Sequence, residues 1–182
     1  MRKNAQVNRE RILTAAEAVF GAHGALGSTE EVARRAGVGI ATVFRHFPTK
    51  EALIEAALLR HFAQLNEQAA ELASQPDPAE ALRQLVATMI DTGATKITLA
   101  SLAGTRGDFP PSVRRAAGDL RATMAQILER AKAAGAVHDD VTVDEIYILI
   151  RGLAHATATM PPAPATLRRA IDIVHRGLTS PQ

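Results

Sequence analysis

The tightest constraint on this chain is its punctuation over residues 28–53. Ser28 and Glu31 have the S-x-x-E spacing of a capping box, which opens a helix by satisfying its first free N–H groups. The helix they open is expected to run through Arg35. Gly37 follows and can take the positive φ of a sharp turn at no Cβ cost. Pro48 ends the next segment, because a residue before proline is pushed out of the α region. Thr49 then caps a longer helix. The pattern predicts two short helices joined by a glycine turn, the second over Ile40–His46, with a long helix after them. Val32, Ala33 and Ala36 form the expected buried face of the first, and Val38 plugs the small core. A helix as short as Ile40–His46 is unstable alone, so Val43 and Phe47 must pack inward. Ala41, Thr42, Phe44 and Arg45 are then left outward. This is the layout of a helix-turn-helix, whose second helix lies in the DNA major groove.

The rest of the sequence also reads as helix. Alanine is abundant, and β-branched residues are scattered rather than set in alternating runs. Asn8 is expected to cap a first helix with Ile12, Ala15, Ala16, Val19 and Phe20 on one face and Gly24 as its stop. After Thr49, an apolar seam runs Leu53, Ile54, Ala57, Leu58, Phe62, Leu65, Ala69, Leu72. Asp77-Pro78-Ala79-Glu80 combines an N-cap, a proline at the first helical position and a glutamate at the third. Leu82, Leu85, Val86, Met89 and Ile90 follow as a buried face. A short helix is expected over residues 95–103, a loop over 104–111 and a helix over 112–134. The inward face of that last helix is Val113, Ala116, Leu120, Met124, Ile127, Leu128 and Ala131. Thr142 and Glu145 make a second capping box, opening a strongly apolar helix that ends at Met160-Pro161-Pro162. A final helix is expected over 165–178. The expectation is an all-α chain of about nine helices. A three-helix head over residues 1–48 precedes a larger helical domain over 49–182.

Composition narrows the function. Apolar residues make up 47% of the chain, enough for a real core, and it contains no cysteine. Disulfides and thiolate metal sites are thereby excluded. His138-Asp139-Asp140 lies in a turn before a cap, where solvated side chains are expected rather than a metal, and no cofactor is implied. The HExxH, GxSxG, P-loop and GxGxxG patterns do not occur, and nothing supplies a nucleophile, so an enzyme is not expected. No apolar run reaches the roughly 20 residues of a membrane span. Met1-Arg2-Lys3-Asn4 is basic but leads into no apolar signal core. The expectation is a soluble cytoplasmic protein. The net charge of +2 is unevenly placed. Residues 1–50 carry eight basic and four acidic side chains, a net of +4, and the remainder thirteen and fifteen, a net of −2. A basic head on a mildly acidic body suits a polyanion at one end.

Val32-Ala33-x-x-Ala36-Gly37-Val38, followed by Thr42-x-Phe44-x-His46-Phe47-x-x-Lys50-Glu51-x-Leu53, resembles the tetracycline-repressor (TetR) family of bacterial transcription regulators. The resemblance covers residues 8–55. Beyond them the chain is similar to the family only in helix number and order. Its alanine- and arginine-rich usage resembles that of a GC-rich actinobacterial source. The resemblance implies a homodimer joined through the last two helices of each subunit and a cavity for a small-molecule effector in the C-terminal domain. It also implies release from a palindromic double-stranded DNA operator when the effector binds. Thr42 matches a family position that contacts DNA, and Lys50 resembles the family's phosphate-binding lysine. Gly39, Ile40 and Ala41 belong to the same DNA-side set. Arg45 is suited to guanine or to phosphate. His46 is suited to packing or to phosphate. Ser28 is a cap first and a phosphate contact second. Arg2 and Lys3 are either a DNA-reaching arm or solvated. Two residues depart from the family pattern. Phe44 stands where tyrosine is usual and cannot donate to phosphate. Gly39 stands where serine or threonine often caps the helix. These departures leave an alternative, an interaction scaffold with a degenerate DNA-binding head.

Tyr147, Arg151 and His155 recur every fourth residue and so share a helix face. They read either as an effector-facing stripe for an anionic or carbonyl-bearing compound, or as groups of a dimer interface or core. Phe62, Met89, Thr92 and Met124 read either as cavity lining or as ordinary core, methionine being adaptable filler in both.

Overall fold

A computed structural model of the chain describes residues 2–103 and 109–179. The side chains of Arg2 and Lys3, and most of the loop expected over 104–111, lie outside the described residues. The described residues form nine α-helices: α1 (Arg2–His23), α2 (Thr29–Ala36), α3 (Ile40–His46), α4 (Lys50–Ala73), α5 (Pro78–Asp91), α6 (Gly93–Ala103), α7 (Pro111–Ala133), α8 (Val143–Thr159) and α9 (Pro164–Leu178). A 3-10 turn, Gly24–Leu26, follows α1. The chain divides into two compact units, Met1–Phe62 with Thr95–Arg114, and Ala63–Ala94 with Arg115–Gln182. α4, α6 and α7 each contribute residues to both.

In the first unit, α1 begins at Arg2 rather than at a cap on Asn8. Ala5 and Gln6 are good helix formers and nothing there breaks the helix, so propensity overrides the cap signal. Ser28 caps α2 as expected, its hydroxyl accepting from the Glu31 N–H at 3.1 Å. The Glu31 carboxylate turns to His23 and Arg34, at 3.7 and 3.8 Å, so the first half of the box forms. Gly37 closes α2 at φ 65°, and the Val38 N–H donates to Ala33 at 3.0 Å. A Cβ at Gly37 would stand 2.7 Å from the Arg11 guanidinium. Thr49 caps α4, accepting from the Ala52 N–H at 3.1 Å. The predicted α4 seam is buried at every position. Arg60, on the same helix, bonds Glu10 at 3.0 Å and Glu17 at 2.8 Å, fastening α4 to α1.

In the second unit, the Asp77 carboxylate accepts from the Ala79 and Glu80 N–H groups at 3.0 Å, with Pro78 opening α5. Glu80 in turn binds Arg83 and Gln84. The predicted inward faces of α5 and α7 are buried except for Ala116, which is half-buried. Both halves of the Thr142–Glu145 box form. α8, apolar nearly all round, buries Ile146, Ile150 and Ala154 and leaves Ile148 63% exposed. α6 starts two residues earlier than its expected range, at Gly93, where a Cβ would lie only 2.4 Å from the Ala154 Cβ.

Candidate nucleic-acid interface

α3 is held from behind and open in front. Val43 is fully buried and Phe47 is 4% exposed, the two inward anchors the short helix needs. Thr42 and His46 are half-buried at the flanks, and Ile40, Ala41, Phe44 and Arg45 face outward. Gly39 caps α3 through its backbone alone, its carbonyl accepting from the Thr42 N–H at 2.8 Å. A Cβ there would meet nothing within 4 Å. The Arg9 guanidinium lies 5.4 Å over the Phe47 ring, and the His46 ring is tilted against Phe47 at 6.2 Å. α1 therefore buttresses the end of α3.

Ser28 sits half-buried at the start of α2 with its hydroxyl engaged by the helix end. Lys50 has a role that spacing could not reveal. Its ammonium donates to the carbonyls of Ala25 at 3.0 Å and Gly27 at 2.6 Å, and lies 5.4 Å over the Phe20 ring. It thereby ties the connection between α1 and α2 to the start of α4. The acceptors are backbone oxygens, which carry no sequence signature.

The residues expected near an effector fall in both compact units. Phe62 is buried in the first compact unit, and the other six belong to the second. Met89 and Met124 are buried there. Thr92 ends α5, its hydroxyl donating to Thr88 at 2.8 Å. Tyr147 is half-buried under the Arg121 guanidinium, 5.3 Å from its ring. Its hydroxyl is buried with no hydrogen-bond partner among the described residues, and burial raises its pKa. Arg151 and His155, though on the same face by spacing, are exposed.

His61 escaped the sequence reading. It is 6% exposed in α4, and its Nε2 has no hydrogen-bond partner among the described residues. Burial, then the charges of Lys96 and Arg60, lowers its pKa to about 4. The spacing Leu58, His61, Phe62, Leu65 places it on the buried face, so helical periodicity was the available signal. The adjoining Phe62 ring carries the Lys96 ammonium at 5.3 Å. No described helix is long and apolar enough to cross a membrane.

Residues 12–57 match the family model described as bacterial regulatory proteins, tetR family. Residues 77–180 match the model for the C-terminal domain of SbtR-like transcriptional regulators. The TetR transcriptional regulator SCO0520 from Streptomyces coelicolor is 30% identical, with 96% of this chain and 99% of that chain covered and a TM-score of 0.78. A TetR transcription regulatory protein from Mycobacterium vanbaalenii is also 30% identical, with coverage of 98% and 99% and a TM-score of 0.77. Reduced NemR from E. coli shares the fold at 19% identity, with coverage of 96% and 100% and a TM-score of 0.71. No curated protein matches the chain.

Proposed function

This chain belongs to the TetR family of bacterial transcription regulators, and from that premise we propose that it is a homodimeric repressor, released from a palindromic operator by a small-molecule effector. The observation that carries the reading is the outward face of α3, set on a basic head by the Gly37 turn. In this reading residues 1–48 read DNA, and residues 49–182 bind the effector and dimerise. Thr42 and Arg45 meet base edges or phosphate, while Gly39, Ile40, Ala41 and Phe44 face the groove. His46 and Ser28 stand at its margins. Lys50 holds the α1–α2 connection in position for the backbone.

Dimerisation is supported by apolar surface on the last two helices and the turn between them, where Ile148, Leu149, Met160 and Ile173 are exposed. Arg151 and His155 stand on the uncovered side of α8, and we assign them to the subunit interface. Met89, Thr92, Met124 and Tyr147 are the effector-facing candidates of the second unit, and Phe62 is a separate candidate in the first. The effector acts by favouring a dimer geometry whose two α3 helices no longer stand about one helical turn, ~34 Å, apart. A coupling of roughly 1–3 kcal/mol changes operator affinity about 5–150-fold.

Selection of bound sequences from a random duplex pool tests the reading. An inverted repeat is expected, with binding weakened by Thr42→Ala and falling steeply with added salt. One set of observations favours a second reading, a protein-interaction scaffold. Gly39 and Phe44 have no side-chain group to donate to phosphate, and the Lys50 ammonium already serves two carbonyls. A scaffold would return no preferred sequence and no salt-sensitive DNA binding.

A further inference from the structure

Resting on the DNA-binding reading, we propose that α3 chooses its half-site by the C5-methyl groups of neighbouring thymines, gripped by an apolar patch of Ile40, Ala41 and Phe44. Three of the four outward side chains of α3 are apolar. Ile40 is 36% exposed and Phe44 43%. They stand four residues apart and so lie side by side, as do Ala41 and Arg45. Among the described residues of this unit, the other large apolar side chains exposed, Val7 and Leu26, lie away from α3 in sequence, on α1 and in the turn after it.

An apolar patch on the exposed face of a basic head calls for a partner that is anionic overall and apolar locally. The major groove offers that combination only at thymine, whose C5-methyl is the one apolar group on the base edges it displays. Ile40 and Phe44 are one turn apart, about 6 Å along the helix, close to two base-pair steps. The patch therefore fits two thymine methyls on base pairs two steps apart. Arg45 stands at its edge, where a guanidinium can take the O6 and N7 of a guanine beside them. The side chains of Phe44 and Gly39 offer no phosphate donor, so what Ile40, Ala41 and Phe44 contribute comes from burying apolar surface against the bases.

The test uses the full-length protein and the sequence it selects. Each thymine of the selected duplex is replaced singly by deoxyuridine, which removes the methyl and leaves pairing and hydrogen-bonding groups intact. Affinity should fall about fourfold at each of two positions two base-pair steps apart in each half-site, the equivalent of one buried methyl-sized group. Ile40→Ala and Phe44→Ala, at exposed sites, should each lose the deoxyuridine penalty at one of the two positions. If a specific inverted repeat is selected but deoxyuridine is tolerated throughout, the methyl readout is wrong and the DNA-binding reading stands. Unchanged deoxyuridine sensitivity in both alanine variants also overturns it. If no sequence is selected at all, both readings fail.

Discussion

Gly39 and Gly37 lie two residues apart and are glycines for opposite reasons. Gly37 has φ 65° and the Arg11 guanidinium against it, so a side chain there is strained twice. Gly39 has φ −71°, ψ 147° and open space around it, a conformation and a site that suit serine. Gly39→Ser should raise stability by a few tenths of a kcal/mol through a side-chain cap on α3, read as a small rise in Tm. His61 gives a pH dependence. Its ordinary pKa near 6.5 falls to about 4 in the folded chain, chiefly through burial. Between those values the unfolded chain binds a proton that the folded chain refuses, so stability is full above 6.5 and falls as the pH drops toward 4. The loss is about 3 kcal/mol at most. His175, also lowered by burial, contributes in the same direction. The diagnostic quantity is therefore the difference between denaturation curves of the wild type and His61→Gln, which should narrow as the pH falls.

At the scale of elements, the sharpest fit is where α6 begins against α8. Gly93→Ala places its Cβ 2.4 Å from that of Ala154 and should destabilise the chain by about 1–3 kcal/mol. Ala154→Gly should relieve much of that loss, and a double-mutant cycle measures the coupling. Most helices were legible because periodicity and caps agreed: every α4 seam residue is buried, and Asp77, Ser28 and Thr142 each accept the predicted N–H. The start of α1 was not legible, because a capping asparagine also tolerates a place inside a helix when good formers precede it. The two faces of α8 were not separable either, since Ile146 and Ile148 are chemically alike and only packing distinguishes them. The candidate site divides in the same way. On α3 the outward places of Ala41, Phe44 and Arg45 followed from its two anchors, but Thr42 is half-buried and Ile40 is exposed instead. The carbonyls that hold Lys50 and the ring-stacking of Arg9 depend on contacts between distant residues.

For the whole molecule, the proposed dimer rests on the apolar residues left uncovered on α8 and α9. The wild type is expected to sediment as a dimer at micromolar concentration. The Ile148→Glu, Ile173→Glu double variant should sediment as a monomer with its helical content retained, because both positions are exposed in the single chain. Operator affinity should fall with it, as one head loses the gain from its tethered neighbour.

The Arg60 bridge has a consequence for how regulators of this kind can be recombined. A chimera joined at Pro48 would carry α4 away from the α1 that supplies Glu10 and Glu17, leaving Arg60 to face whatever surface the donor happens to provide. The graft that keeps these ion pairs runs through Phe62, and residues 95–114 travel with it. Swapping the specificity of such a protein is thus a transplant of two separated stretches of gene, and a single crossover is the wrong cut.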